Sequence, residues 1–97
     1  MPKIEVDEDL KEIIPGFMAN RNKDILELER LLQEQDFHAI EKIGHRVAGS
    51  SGGYGFDELG NIAKEIELSI KGGDTSKIPE LIENFKEYVN NVEIEFV

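Results

Sequence analysis

Apolar residues recur at spacings of three and four along most of the chain, which predicts a series of amphipathic helices. A short stripe after the acidic run at residues 7–9 predicts a brief N-terminal helix, and a longer helix restarts at Pro15. Three further helices follow. The positions predicted to face the core are Phe17, Met18, Ile25, Leu28, Leu31 and Leu32; Phe37, Ile40, Ile43 and Val47; Leu59, Ile62, Ala63, Ile66 and Ile70; and Ile78, Leu81, Ile82, Phe85, Val89 and Val92.

Polar and glycine-rich segments separate the predicted helices. Asp36 is a favourable N-cap for the second long helix, while residues 52–55 and the pair Gly72-Gly73 supply turns. Because these connections are short, consecutive helices are predicted to run antiparallel. The sequence therefore predicts an all-α fold: an up-down-up-down four-helix bundle with a short extra N-terminal helix, forming one domain over residues 1–97.

The two ends of the chain depart from the helical pattern. Ile4 and Val6 alternate with polar neighbours, and residues 92–97 alternate in the same way. We hypothesise that both ends are extended and pair with one another. The alternative is a fourth helix that continues and frays.

The amino-acid composition limits the cellular location and the classes of partner that we expect. The chain has 21 acidic and 11 basic side chains, a net charge of -10, which disfavours nucleic acid and anionic membranes as partners. It has no cysteine, no signal-peptide pattern at its start and no apolar run near the roughly 20 residues that span a bilayer. We therefore expect a cytoplasmic protein. Since no second apolar face stands out, we expect a monomer.

The second long helix, predicted over residues 36–53, carries His45 on the side opposite its apolar stripe. Gly49 and Gly52 follow on the same exposed face, where alanine would favour the helix by about 1 kcal/mol each. One interpretation is that the glycines give another molecule access to the imidazole. The other is that GSSGG is a flexible connection and His45 an ordinary surface residue, and spacing alone does not choose between them.

His38, Glu41 and His45 share one helix face and are of the types that bind metal ions. That face points to solvent, whereas metal-binding bundles direct their ligands into the core. The two histidines are also about 10 Å apart along the helix axis. No metal site is therefore predicted, and no nucleotide-binding or Ser-His-Asp pattern is present.

An exposed imidazole on a helix is suited to accepting a phosphoryl group, because much of it is neutral near pH 7. Lys42 and Arg46 lie on one flank of His45 and can offset phosphate charge. The alternative is that these two cations only balance nearby carboxylates.

The residues around His45 resemble the histidine phosphotransfer (Hpt) domain. That family's motif has an apolar residue two after the histidine and glycines four and ten after it, matched here by Val47, Gly49 and Gly55. The segment Gly52-Gly53-Tyr54-Gly55-Phe56 and the helix over 59–67 extend the resemblance. So do Ile14-Pro15-Gly16-Phe17, Asn20-Arg21 and Asp36-Phe37, which are similar to single-domain members.

This resemblance implies a phosphorelay carrier of two-component signalling rather than an enzyme. It implies that His45, through Nε2, accepts a phosphoryl group from a receiver-domain aspartate and passes it to another receiver. The implied partners are response-regulator receivers or a hybrid histidine kinase. Mg²⁺ would belong to the receiver, so no cofactor of the chain's own is expected.

The resemblance has one departure. Ala48 occupies the place where members often have lysine, and we hypothesise that Lys42 or Arg46 substitutes for it. The alternative function is an interaction module that retains the Hpt fold without phosphotransfer, for which Ala48 would be one symptom.

Overall fold

A computed structural model describes residues 2–97 of the protein. Four long helices build the core, and the predicted four-helix bundle is confirmed. Short pieces of extended chain flank it at both ends. The elements are β1 (Lys3–Val6), a one-turn 3-10 helix (Glu8–Leu10), α1 (Ile14–Glu34), α2 (Phe37–Ser51), a second 3-10 turn (Gly52–Tyr54), α3 (Asp57–Lys71), α4 (Ile78–Asn91) and β2 (Glu93–Phe96).

The two chain ends form a two-stranded sheet. β1 and β2 pair in parallel, with Ile4 opposite Ile94 and Val6 opposite Phe96. These apolar side chains lie in or against the core, whereas the alternate residues face solvent. The hypothesis that both ends are extended and paired is confirmed, and the alternative of a fraying fourth helix is wrong.

The short N-terminal helix predicted from sequence is a single turn. Only Glu8–Leu10 is helical, as a single 3-10 turn, because the chain enters this turn from β1. Ile14 already belongs to α1 and is buried, whereas Ile13 remains 48% exposed.

Local signals set most of the helix boundaries. Asp36 caps α2 as predicted, since its Oδ1 accepts a hydrogen bond from the Ala39 amide at 3.2 Å. α2 ends at Ser51 rather than at residue 53, because Gly52–Tyr54 tightens into a 3-10 turn. Gly55 then reverses the chain with φ of 87°, a conformation that favours glycine.

α2 and α3 approach closely at Gly44. A Cβ atom placed there would lie only 2.8 Å from the Ala63 carbonyl oxygen and 3.3 Å from the Glu67 amide nitrogen. Only glycine allows this backbone separation. The neighbouring residue, His45, is thereby held beside α3.

Among residues 2–97, the structure has no helix with the length and apolar character needed to cross a bilayer.

Candidate functional site

His45 lies on the exposed face of α2, and 74% of its side-chain surface is exposed. Its Nδ1 atom lies 2.7 Å from Oε2 of Glu67 on α3. An ionised carboxylate only accepts hydrogen bonds, so Nδ1 carries the proton of the neutral imidazole. This assignment leaves the Nε2 lone pair available as a nucleophile.

Glu67 is the partner that sequence reasoning missed. Its side chain is only 1% exposed, and Lys64 and Lys71 bind it at 3.2 Å and 3.0 Å. The hydrogen bond from Lys71, aided by those from His45 and Lys64, lowers the pKa of Glu67 to about 2 despite burial. The carboxylate is therefore ionised at neutral pH and can hold the Nδ1 proton.

A signal for Glu67 was present in the sequence. Lys64 precedes it by three residues and Lys71 follows it by four, which places all three on one helix face. Glu67 also borders the apolar stripe that includes Ala63 and Ile66, where a charged residue needs a partner. The pattern does not reveal that the partner includes His45, because that contact joins residues 22 apart.

The glycines beside His45 leave the surface of α2 open. A Cβ atom at Gly49 would meet no atom within 4 Å, and one at Gly52 would meet only the Asp57 Oδ1 atom, at 3.7 Å. Gly49 lies inside α2, and Gly52 begins the 3-10 turn. The interpretation of GSSGG as a flexible connection therefore does not fit the structure.

The two cations predicted beside His45 have different surroundings. Lys42 is exposed and forms no salt bridge with another residue of the described chain. Arg46 instead turns toward α1, where its Nη2 donates to Oδ1 of Asp24 at 2.7 Å. The cations that share a carboxylate with His45 are Lys64 and Lys71, neither of which was predicted.

Ala48 lines a shallow depression of about 290 Å³ between α2 and α3. Lys64, Gly52 and Gly60 line the same depression. Lys64 thus stands beside the position where the family often has lysine.

The structure gathers no group of three potential metal-ligating side chains anywhere in residues 2–97. His38 is exposed, one residue after the start of α2.

Comparison with protein-family models gives a match to the Hpt domain over residues 7–95. The chain belongs to the Hpt domain family. Hpt domains are phosphocarriers that transfer phosphoryl groups through histidine in phosphorelay signalling, and they interact with receiver domains and histidine kinases. Searches of curated proteins and of solved structures gave no significant match. In this Hpt domain the family match spans all four helices, including the exposed histidine of α2.

Proposed function

We propose that His45 is the phosphoacceptor of a phosphorelay carrier that receives its phosphoryl group from a receiver-domain aspartate. The observation that supports this most directly is the exposed imidazole whose Nδ1 is held by Glu67. The Nε2 lone pair attacks phosphorus, the bond to the aspartyl oxygen breaks, and the aspartate leaves as a free carboxylate. A second receiver aspartate then takes the group from Nε2.

Glu67 assists both before and after His45 is phosphorylated. Before transfer it keeps the proton on Nδ1, and after transfer its negative charge stabilises the positively charged phosphorylated ring. Phosphoryl transfer depends chiefly on positioning and charge stabilisation. The receiver would supply its aspartate and Mg²⁺, so we propose no cofactor bound by this chain. We further propose that the protein acts in the cytoplasm as a monomer.

The direct test is incubation with a panel of phosphorylated receiver domains. The proposal expects a phosphoryl group on this protein that is labile to acid and stable to base. Receivers that bind without transferring a phosphoryl group would instead favour the alternative function, an interaction module that retains the fold. A hybrid histidine kinase with its own receiver belongs in the same panel.

Replacing Glu67 with alanine is expected to slow phosphotransfer by about ten- to a hundredfold. Without the carboxylate that accepts from Nδ1, the His45 ring can rotate and its proton can move to Nε2. Glu67→Gln should be intermediate, since its amide oxygen accepts from Nδ1 but carries no charge. Transfer rates and the ¹⁵N chemical shifts of the His45 ring check this. Glu65→Gln, at an exposed position of α3, is the matched control. Wild-type rates in both Glu67 variants would contradict the role.

The contribution of Glu67 to the free energy of unfolding is expected to depend on pH. The pKa of Glu67 falls from 4.5 to about 2, chiefly through Lys71, so its ionisation favours the folded state. That contribution is complete above pH 4.5 and is lost as the pH falls toward 2. Chemical denaturation should therefore show the free energy difference between wild type and Glu67→Gln changing across this acidic range and remaining constant near neutrality.

Ala48 occupies the position where family members often have lysine. We expect the ammonium group of Lys64 to offset the phosphoryl charge in place of that lysine. Lys64→Gln should slow transfer by about tenfold, because its ammonium group lies between Glu67 and the depression beside Ala48. Lys86→Gln, which removes a cation from a pair joining α4 and α1, should leave the rate unchanged.

Lys42→Ala and Arg46→Ala complete the comparison of cations around His45. Lys42 and Arg46 both remain proposed supports because they lie on the same helix flank, and Nη2 of Arg46 also donates to Asp24. An unchanged rate in Lys64→Gln with a slower one in Lys42→Ala would assign the charge compensation to Lys42 instead.

A further inference from the structure

A second charged cluster joins α1 and α2 outside the His45–Glu67 pair. Arg46 donates to one oxygen of Asp24 at 2.7 Å, and Nε of Arg21 lies 2.8 Å from the other. Two guanidinium groups thus share one carboxylate. On a chain with a net charge of -10, this is a local excess of positive charge.

Arg21 is buried and shares its carboxylate partner with Arg46. The residue is only 5% exposed, and its guanidinium carbon lies 4.6 Å from the centre of the Phe17 ring. Its Nε atom faces Oδ2 of Asp24 at 2.8 Å as an ion pair. Each guanidinium has five N–H donors, and one carboxylate cannot accept hydrogen bonds from all the donors of both arginines. Burial also lowers the pKa of Arg21, and the nearby charge of Arg46 acts in the same direction.

Both arginines line an open depression of about 460 Å³ between the start of α1 and the end of α2. Asn20, Ser50 and Gly16 also line it. α1 begins without a side-chain cap, so its N-terminal end adds partial positive charge. At Gly16 a Cβ atom would meet nothing within 4 Å, and the backbone there is accessible.

We propose that this depression binds an oxyanion, a carboxylate or a phosphate, between the guanidinium groups of Arg21 and Arg46. The Asn20 amide supplies a further donor of the kind such an ion accepts, and the Ser50 hydroxyl, which donates to the Val47 carbonyl at a long 3.4 Å, can turn to supply another. Arg46 follows His45 by about 100° around α2, and His45 does not line the depression, so this site is separate from the imidazole. The oxyanion is either free phosphate or an acidic side chain of a docked receiver, and only the second source rests on the proposed function.

Titration with inorganic phosphate, followed by NMR of the backbone amides of Gly16 and Ser50 and the arginine Nε–H groups, tests the site. Saturable shifts are expected in wild type, and Arg46→Gln should weaken binding by about tenfold. Arg30→Gln is the matched control, because Arg30 lies on α1 but pairs with Glu27 and Glu34. Ser50→Ala provides a second variant that preserves the buried Arg21, whose replacement could unfold the bundle.

His45→Gln distinguishes this depression from the phosphoacceptor itself. If phosphate binding survives that change and weakens in Arg46→Gln, the site is supported with free phosphate as a ligand. If phosphate binding disappears with His45, the ion lies at the phosphoacceptor and the proposal is overturned for free phosphate.

Receiver binding measured with the same variants tests whether the oxyanion is an acidic side chain of a docked receiver. An affinity about tenfold lower in Arg46→Gln than in Arg30→Gln, without phosphate binding, would support a receiver carboxylate as the occupant. No phosphate shifts together with equal receiver affinities would overturn the site. If no receiver binds even the wild type, that result counts against the proposed function, and the phosphate titration alone decides the site.

Discussion

Replacing His45 with glutamine is expected to abolish the acid-labile phosphoryl group formed with any phosphorylated receiver. Glutamine has no nitrogen lone pair comparable to Nε2, so the attack on phosphorus is lost rather than slowed. The fold should be retained, because 74% of the His45 side-chain surface is exposed and Glu67 is its only polar partner among residues 2–97. Radiolabelled phosphoryl transfer and a thermal melt of the same sample measure both properties.

His38→Gln is the matched control for that experiment. His38 is the other histidine of the chain, is also exposed, and lies on the same helix seven residues earlier. Its replacement should leave the phosphoryl group intact. Loss of labelling in His38→Gln but not in His45→Gln would reverse the assignment of the phosphoacceptor, and labelling that persists in both would refute histidine transfer at either position.

Gly49→Gln is expected to block transfer from receiver domains without unfolding the bundle. The new side chain would project one helical turn after His45, on the surface that a receiver covers in the proposed function. Apart from the adjacent turns of α2 itself, no atom of the described residues lies within 4 Å of its Cβ position, so no contact with another element is disturbed. An unchanged or slightly higher melting temperature is expected, since glycine is a poor helix former.

A small-molecule phosphoramidate donor separates docking from chemistry in this variant. Such a donor needs no protein surface, so Gly49→Gln should accept its phosphoryl group at close to the wild-type rate. Gly49→Ala, with a smaller side chain, should show an intermediate rate with receivers. Normal receiver transfer by Gly49→Gln would remove the docking role of this face.

Features that depend only on residues close together in sequence are predicted correctly. The exposure of His45 follows from its position opposite Ile43 and Val47, which are buried as predicted. The Asp36 cap and the alternation at the two chain ends are equally local, and both appear in the structure. The N-terminal helix is limited to one turn because Ile14, at the end of its apolar stripe, belongs to α1 instead.

The sequence by itself determined the helices, the acidic surface, the exposed histidine and its glycine neighbours, because each depends on residues within a few helical turns. The tertiary structure alone decided that His45 meets Glu67 and that Arg46 meets Asp24, contacts that each span 22 residues. Such contacts depend on how packed helices are rotated and how closely they approach. At Gly44 the absence of a side chain allows α2 and α3 to approach closely. This approach places the Glu67 carboxylate within reach of the His45 imidazole.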